Sequence, residues 1–354
     1  MTLKVHVLYE HSADKTPYGV SYIRLLLPLS HPTVINALKI SQGTEIPKSR
    51  VDVVIVERLW RPDITLNLAE QLIESVRRQK ARLIYSIDDN LLDLEPDEVM
   101  PGFPSLEQKM VVRLFTREAN GVLVATERLK ERLARLNQNI IVIPNALDER
   151  LFIKREKIDR KKSHYPKGKK KIIGYMGTFT HDADLMMILQ SLRTILRKHS
   201  DVELEIIGGI ADQATAQTLF SGLPVRFVNV RKYAEYPRFM RWMAENVRWD
   251  LALAPLEDNR FTRCKSDIKF LDYSILGIAG LYSRVPAYEN TVRHLETGYL
   301  VDNSVKAWTE ALEYLMTNQY LRDKLAKKAQ EYVYSERILK HCAKKWVNAL
   351  TSLV

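Results

Sequence analysis

Residues 171–182 read KIIGYMGTFTHD, and this stretch decides the fold. Lys171–Met176 holds a continuous apolar run rather than an alternating one, which predicts a strand covered on both faces, as in a parallel sheet. Gly177 opens a loop, and an amphipathic helical pattern follows over residues 183–198. Because parallel strands need a crossover that is usually a helix, the stretch predicts one repeating unit of an α/β domain.

The same alternation extends in both directions along the chain. The predicted strands are 3–9, 51–56, 83–87, 121–125 and 140–143, and then 171–176, 202–207, 225–228, 251–254 and 280–283. Helical patterns lie between them, and a last amphipathic helix covers 337–353. Since such crossovers are almost always right-handed, the pattern predicts two doubly wound domains, 1–150 and 172–335, joined by a linker, 151–171.

Composition excludes several classes of protein. The 354 residues are 46% hydrophobic and 27% charged, which is typical of a globular chain and not of a disordered, collagenous or polytopic membrane protein. Two cysteines exclude a disulfide framework, and there is no Cys-x-x-Cys pair for zinc. The first residues show no signal peptide, and no apolar run reaches the ~18 residues of a membrane span. We therefore expect a cytoplasmic protein.

The positive charge is concentrated in one segment. The formal net charge is +11, and Lys154–Lys171 carries ten Lys or Arg against two acidic residues. Pro166, Gly168 and the scarcity of apolar residues favour a solvated linker. The alternative is peripheral contact with an anionic inner membrane face. Such a surface attracts a basic segment by about 1 kcal/mol per basic residue. Nucleic-acid binding is a third and weaker interpretation, because no reader motif accompanies the charge.

Loops that follow the strands are the places to look for chemistry, because ligands of open parallel sheets bind beyond the carboxyl ends of the strands. Gly19 follows the first strand and precedes a helical run, so it predicts close approach of the backbone to a ligand, or a simple turn. Asp88 and Asp89 follow the third predicted strand. These carboxylates could accept hydrogen bonds from sugar hydroxyls or act as a general base. The alternative is that Asp89 or Asn90 only caps the next segment.

The second half contains two further candidate loops. Gly177, Thr178 and His181 lie between a strand and a helix, where backbone amides and a helix N-terminus favour a diphosphate. The alternative is an ordinary helix start.

Residues 260–273 read RFTRCKSDIKFLDY. Lys265, Lys269 and Asp272 share a helix face behind the candidate N-cap Ser266, and this face would hold a phosphate at one end and ribose hydroxyls at the other. A solvated face with ordinary ion pairs is the alternative. The motifs GxGxxG, GxxxxGK[ST] and GxSxG are absent, which argues against a nicotinamide dehydrogenase, a P-loop ATPase and a serine hydrolase of the corresponding classes.

Taken in order, several of these stretches resemble the retaining group 1 glycosyltransferases of the GT-B fold, which use nucleotide-sugar donors. The resemblance is carried by IPNALDERLF (143–152), IIGYMGTFTHDADL (172–185), the long stretch 249–288 from WDLALAP to SRVPAY, and GYLVDNSVKAWTEAL (298–312). In the first half, YGVSYIRLLLP (18–28) and IYSIDDNLLDL (84–94) resemble one branch of these enzymes.

The resemblance implies a GT-B architecture of two Rossmann-like domains facing a cleft, with a closing helix, 336–354, that packs back on the first domain. It implies transfer of a hexosyl or deoxyhexosyl group from a nucleoside-diphosphate donor to a hydroxyl of a glycan or lipid-linked saccharide, as in polysaccharide biosynthesis. Retention of configuration, no metal and no other cofactor are expected.

Site residues follow from the resemblance one at a time. The family has a Glu, seven residues and a second Glu; Asp272 matches the second position, and Cys264 stands at the first. The family's basic pair after Gly177 is also missing, so Lys265, Lys269 or Arg263 must neutralise the diphosphate. The implied catalytic residues are Asp88, Asp89 and Lys265, the donor-binding residues are Gly177, Thr178, His181, Ser266, Lys269 and Asp272, and Gly19 lies on the acceptor side.

Three alternatives remain open at this point. A sugar-nucleotide epimerase would share the fold. A non-catalytic subunit would explain the missing first acid at Cys264, and a nucleic-acid binder would use Lys154–Lys171.

Overall fold

The computed structural model describes residues 2–95, 101–152, 170–178, 182–208 and 213–354. The chain divides into two compact units. The first comprises Met1–Asp148, Arg260–Ser266 and Arg337–Val354, and the second comprises Glu149–Asn259 and Asp267–Glu336. Most of the basic segment, residues 154–169, lies outside the described residues, as does His181.

The first unit contains a six-stranded parallel sheet in the order β2-β1-β3-β4-β5-β6. Parallel pairing joins Val5 to Val53 and Val53 to Arg82. The strand order reverses between β1 and β3, which makes the carboxyl ends of these two strands a topological switch point. The strands are β1 Leu3–Leu8, β2 Leu38–Gly43, β3 Val53–Glu57, β4 Arg82–Ile87, β5 Gly121–Val124 and β6 Ile140–Val142.

Helices of the first unit begin at side-chain caps where the sequence supplies them. Thr65, Ser105 and Thr126 each accept a hydrogen bond from a backbone N–H in the first turn, which satisfies a donor that the helix cannot pair. The first helix, α1, is continuous over 19–29 and has a π-helical middle, Tyr22–Leu26. The others are α2 Leu66–Arg78, α3 Leu106–Glu118, α4 Glu127–Leu133, and, at the end of the chain, α13 Leu339–Cys342 and α14 Lys344–Ser352.

The second unit contains another six-stranded parallel sheet, in the order β12-β11-β10-β7-β8-β9. Read from β9, this is the arrangement of dinucleotide-binding domains, and its switch point lies between β7 and β10. The strands are β7 Lys171–Gly177, β8 Val202–Gly208, β9 Val225–Val228, β10 Leu251–Ala254, β11 Gly280–Ser283 and β12 Tyr299–Val301.

Helices of the second unit alternate with its strands. They are α5 Asp182–Met187, α6 Leu189–Lys198, α7 Gln213–Leu219, α8 Tyr236–Asn246, α9 Ile268–Ile275, α10 Pro286–Glu289, α11 Val305–Thr317 and α12 Gln319–Glu336. Short 3₁₀ turns cover Glu149–Leu151 and Arg231–Tyr233 in this unit, and Thr262–Cys264 in the segment that belongs to the first unit. None of the described helices is both long and apolar enough to cross a membrane.

Apolar side chains cover both faces of the strands, as the continuous runs predict. In β3, Val54 and Val56 belong to one core cluster, and Val53 and Ile55 belong to another on the opposite face. The second cluster includes Trp346, so the last helix packs on the first unit. The doubly wound α/β class predicted from the sequence is therefore confirmed.

Three local features differ from the sequence predictions. Strand β2 was not predicted, because its burial is irregular and only one of its six residues is fully buried. The helix predicted over 183–198 is two helices, α5 and α6. The segment Arg260–Ser266, assigned from the sequence to the second domain, belongs to the first unit, where Phe261 and Cys264 join the core beside α4.

Candidate functional site

Four carboxylates gather at the carboxyl edge of the first sheet. Glu10 follows β1, Glu57 is the last residue of β3, and Asp88 and Asp89 follow β4 directly. Glu10 and Glu57 are 7% and 1% exposed. Two of the three strands flank the switch point, which is where open α/β sheets bind ligands. Buried charges are costly unless they are paired or used, so this edge is the first candidate site.

Arg58 is the cation at the centre of this acidic cluster. Its Nε lies 3.2 Å from Glu10 Oε2, and its Nη1 lies 3.8 Å from Asp88 Oδ1 and 3.5 Å from Asp89 Oδ2. The backbone holds the cluster as well, since the Glu10 amide donates to Glu57 Oε2 over 2.9 Å. One guanidinium thus faces three carboxylates from two loops, those that follow β1 and β4.

Lys265 brings a second cation to the same edge. Its Nζ lies 3.6 Å from Asp89 Oδ1 and 4.6 Å from the centre of the Phe261 ring. The loop that carries it is held by Thr126, whose hydroxyl donates to the Cys264 carbonyl over 2.9 Å. The structure therefore brings together Asp88, Asp89 and Lys265, the three residues that the sequence analysis selected as catalytic.

Burial changes the protonation of these acids. It raises the pKa of Glu57 to about 8, so this side chain is mostly protonated at neutral pH. Burial, together with the neighbouring Asp89, raises the pKa of Asp88, and the positive charges of Arg58 and Arg24 oppose that rise. The pKa of Glu10 is also raised by burial, against the attraction of Arg58. Shifts of this kind, produced by burial together with specific charge partners, are characteristic of functional sites.

Arg24 lies in the π-helical part of α1 and is 1% exposed. Its guanidinium donates to the carbonyls of Ile143 and Val124 and, over 2.8 Å, to the side-chain oxygen of Asn145. Burial lowers its pKa to about 10, which still leaves it charged at neutral pH. A buried, fully charged arginine near the cluster adds positive potential at this edge of the sheet.

Two other predicted residues, Gly19 and Ser266, also lie in the first unit. Gly19 begins α1, and the amide of the preceding Tyr18 donates to the Glu10 carbonyl over 3.1 Å. Ser266, predicted to cap a donor-binding helix, instead accepts a hydrogen bond from the Asn145 side chain at 2.9 Å. The helix that follows begins at Ile268, with Asp267 as its N-cap residue.

The second candidate site lies at the switch point of the second sheet. Gly177 ends β7, and Thr178 follows it in an exposed position. A Cβ at position 177 would lie 3.0 Å from the Tyr175 hydroxyl, so glycine keeps this strand end open. Lys269 Nζ, on α9, lies 5.0 Å from the centre of the Tyr175 ring. Gly177 and Lys269 are thus neighbours of the same tyrosine.

Asp272, one helical turn beyond Lys269, is 4% exposed. Its Oδ1 accepts a hydrogen bond from the Tyr236 hydroxyl at 2.8 Å. Burial raises its pKa to about 7, although the hydrogen bond from Tyr236 favours the charged form. The next residue, Tyr273, donates to the Leu253 carbonyl of β10 over 3.0 Å, which fixes α9 against the sheet.

Polar side chains order the loop after β10. The Leu256 amide donates to Ser283 Oγ, and the Glu257 amide donates to Asp184 Oδ1, each over 2.8 Å. The Asn303 side chain donates to the Leu256 carbonyl, also over 2.8 Å. Three hydrogen bonds thus hold this loop next to the switch point.

Sequence reasoning missed Glu10, Glu57, Arg58 and Tyr236. For the Glu57-Arg58 pair a signal existed, because it ends the run VDVVIVER just as Asp88-Asp89 ends the next predicted strand. The importance of Tyr236 had no local signal, since its partner lies 36 positions away.

Residues 170–318 match the family described as glycosyl transferases group 1. A comparison with curated proteins finds no match. Among solved structures, the Anabaena protein Alr3699/HepE in complex with UDP and glucose superposes with a TM-score of 0.67 and 12% identity, covering 99% of this chain and 100% of that one. Sucrose-phosphate synthase from Thermosynechococcus elongatus superposes with a TM-score of 0.62 and 15% identity, covering 86% of this chain and 74% of that one.

A putative UDP-N-acetylglucosamine 2-epimerase from Listeria monocytogenes gives a TM-score of 0.58 at 13% identity, covering 99% of this chain and 96% of that one. Such likeness at low identity establishes the fold and not the reaction. The two units are the Rossmann-like domains of a GT-B fold, and residues 170–318 of the second match the group 1 glycosyl transferases.

Proposed function

We propose that this chain is a retaining glycosyltransferase that moves a sugar, hexosyl or deoxyhexosyl, from a nucleoside-diphosphate donor to a hydroxyl of a glycan or lipid-linked saccharide. The match of residues 170–318 to the group 1 glycosyl transferases carries the proposal. The fold of the whole chain supports it, since the Anabaena neighbour of the same fold was solved with UDP and glucose. A UDP-sugar is therefore the first donor to test.

In this proposal the second unit binds the donor. The backbone at Gly177 and Thr178 receives the diphosphate, and the Lys269 ammonium adds a positive charge beside Tyr175. The Asp272 carboxyl accepts hydrogen bonds from donor hydroxyls while Tyr236 holds its other oxygen. His181 and Ser266 remain predicted donor residues.

Charge develops at two places during the transfer. The sugar approaches an oxocarbenium ion while negative charge grows on the leaving diphosphate, so fixed positive groups accelerate the reaction. We propose Lys265 as one of these groups, and Asp88 and Asp89 as the carboxylates that orient the acceptor hydroxyl. Gly19 lies beside the acceptor. The leaving diphosphate takes up the acceptor proton, so the mechanism needs no strong protein base. We propose that the protein's own cations neutralise the diphosphate, so that no metal is required.

The test combines donor binding with turnover. UDP-glucose at 100 times its dissociation constant should stabilise the wild type by about 2.7 kcal/mol in thermal unfolding. Asp272→Ala should remove most of this shift, and Lys265→Ala should lower UDP release by ~10²-fold with little change in binding. Lys324→Ala, an exposed lysine on α12, is the matched control. Unchanged binding in Asp272→Ala together with unchanged turnover in Lys265→Ala would reject these site assignments.

Metal independence has its own measurement. Turnover in the presence of EDTA should equal turnover with added Mg²⁺ or Mn²⁺. An EDTA-sensitive rate that a divalent cation restores would refute this part of the proposal.

An epimerase is the second candidate, because the fold is similar to that of the putative UDP-N-acetylglucosamine 2-epimerase from Listeria monocytogenes. Incubation of UDP-N-acetylglucosamine without an acceptor separates the two, because an epimerase changes the sugar and a transferase leaves it largely intact. Binding of donor without any turnover, over a broad acceptor panel, would instead support a non-catalytic subunit.

We also propose a cytoplasmic chain that touches an anionic membrane through Lys154–Lys171. Sedimentation with vesicles containing phosphatidylglycerol should be lost at high salt, and should be weakened when basic residues of this segment are replaced by Gln.

A further inference from the structure

The turn that follows β3 has an unusual backbone. Arg58 has a φ of 44° and Trp60 a φ of 60°, both in the left-handed region. For residues with a Cβ this conformation costs roughly 1–2 kcal/mol each. Hydrogen bonds hold the turn, since the Arg58 amide donates to the Ser86 carbonyl over 2.9 Å and the Trp60 amide donates to the Glu57 carbonyl over 2.7 Å. Backbone strain of this kind is often found at functional sites.

The conformation brings the Arg58 side chain into the acidic cluster. Glycine or asparagine would adopt the same φ at lower cost, so the arginine side chain is the part of the residue that needs explaining. Its guanidinium is 15% exposed and lies within 4 Å of three carboxylates. A planar guanidinium with several donors can orient carboxylates in a way that a single point charge cannot.

Glu10 anchors the other side of the guanidinium. Glu10 Oε2 lies 3.2 Å from Arg58 Nε, and Glu10 Oε1 accepts from the Leu59 amide at 3.4 Å. The Arg58 Nε edge is thereby held by Glu10, while Nη1 faces the two aspartates that follow β4. Different nitrogens of one guanidinium therefore face Glu10 and the two aspartates.

We propose that Arg58 is a positioning residue for the transfer reaction, holding Asp88 and Asp89 ionised and correctly oriented toward the acceptor hydroxyl. The inference rests on the proposed function, because it assigns Arg58 a role in the same site. Arg58 acts through the two aspartates and is not itself proposed to touch the substrate.

Electrostatics explain why such a residue is needed. The side chains of Asp88 and Asp89 are 18% and 21% exposed, and two adjacent carboxylates disfavour each other's ionisation, so loss of the nearby cation favours uptake of a proton by one of them. An opposite charge within 4–6 Å lowers the pKa of an aspartate by about 1–3 units. Loss of Arg58 should therefore raise the pKa of Asp88 by that order. The ionisable groups around Asp88 are Glu10, Glu57, Arg58, Asp89, Arg24, Lys265 and Tyr85.

The kinetic test compares Arg58→Gln and Arg58→Lys with the wild type. UDP release from UDP-glucose is measured from pH 5 to 9 with a panel of octyl and p-nitrophenyl glycosides as acceptors. Arg58→Gln should lower kcat by ~10²-fold at pH 7, leave KM for UDP-glucose within about twofold, and move the acid limb of the kcat profile up by about 1–3 pH units.

Arg58→Lys keeps the positive charge but lacks the planar guanidinium with its several donors. It should therefore restore the position of the acid limb more fully than it restores kcat. The matched control is Arg61→Gln. Arg61 lies three residues along the same loop and pairs with the exposed Asp63 at 2.7 Å, so its removal should leave the profile unchanged. An acid limb that stays in place in Arg58→Gln, or that moves equally in Arg61→Gln, would overturn the proposal.

A second measurement does not depend on turnover. ¹³C NMR of the full chain with labelled aspartate carboxyls follows each titration directly, with Asp88→Asn and Asp89→Asn to assign the signals. Arg58→Gln should raise one of these two pKa values by about 1–3 units; equal values in variant and wild type would refute the role of Arg58. If wild type transfers no sugar, the proposed function fails and the titration alone decides whether Arg58 holds the aspartates. If Arg58→Gln does not fold, Arg58→Lys is compared with the wild type in the same two measurements. An acid limb, aspartate pKa values and a kcat that all equal those of the wild type would then refute the proposal.

Discussion

Replacing Asp272 by asparagine should stabilise the protein while weakening donor binding. Asp272 is buried, and its side chain accepts a hydrogen bond from the Tyr236 hydroxyl at 2.8 Å. Asparagine has nearly the same shape, and its side-chain oxygen can still accept that hydrogen bond. The substitution therefore removes the ionisable group and changes little else.

The magnitude follows from the pKa of Asp272, which rises from an ordinary 3.8 to about 7 in the folded protein. The folded state then binds the proton more tightly than the unfolded state, so stability is present at low pH and is lost as pH rises from about 4 to about 7. One such group changes the free energy of unfolding by about 1.4 kcal/mol per pH unit, or about 4 kcal/mol over the whole interval. Asp272→Asn should match wild type near pH 4 and exceed it by about that amount at pH 8.

Urea denaturation at pH 4.5, 6 and 8, read by hydrogen exchange in peptides of α9, measures the difference within the second unit. Asp323→Asn, an exposed acid on α12, is the matched control and should show no pH-dependent gain. UDP-glucose should bind Asp272→Asn about tenfold more weakly, because a hydrogen bond to a charged group contributes ~1.5–3 kcal/mol. A stability difference that does not grow between pH 4.5 and 8 would show that the carboxyl is not a buried acid of raised pKa, and the reasoning would fail.

Three further outcomes are expected. Arg24→Met should destabilise the first unit by about 3–5 kcal/mol in urea, because it leaves buried acceptors, including Asn145, without their charged donor; a loss under 1 kcal/mol would contradict this. Gly174→Ala should cost about 1–3 kcal/mol and perturb tryptophan fluorescence, because the new Cβ would lie 1.8 Å from the Trp249 ring; an unchanged spectrum and melting temperature would argue against that packing. Glu57→Gln should be nearly neutral at about pH 4.5 and stabilising at about pH 9, because the pKa of Glu57 is raised from 4.5 to about 8 and its stabilisation is lost as pH rises through that interval; a difference from wild type that is the same at both pH values would contradict it.

Much of the fold could be predicted from local patterns. The run VDVVIV (51–56) is apolar at every position except Asp52, which predicts a strand covered on both faces, and both faces of β3 are indeed buried in separate clusters. Strand β2, in contrast, carries the residues LKISQG, whose apolar pattern is weak because most of its residues are partly exposed. Burial strength therefore decided which strands could be recognised.

The candidate site was predictable where chemistry follows a strand in sequence. Asp88 and Asp89 were selected because two acids end an apolar run, and the structure places both beside Arg58. Arg58 itself was missed, because its role depends on a left-handed turn that the sequence does not announce. Tyr236 was missed because its contact with Asp272 joins two helices that are far apart along the chain.

By itself the sequence determined the alternation of strand and helix, the parallel character of the sheets and the loops in which polar chemistry lies, because each of these depends on near neighbours in the chain. Only the tertiary structure decided that Arg260–Ser266 belongs to the first unit, with Lys265 beside Asp89, while its flanking residues belong to the second. It also decided that burial raises the pKa values of Glu57 and Asp272. The physical reason is that long-range packing and desolvation are set by groups brought together from distant parts of the chain, and no local pattern encodes which groups those are.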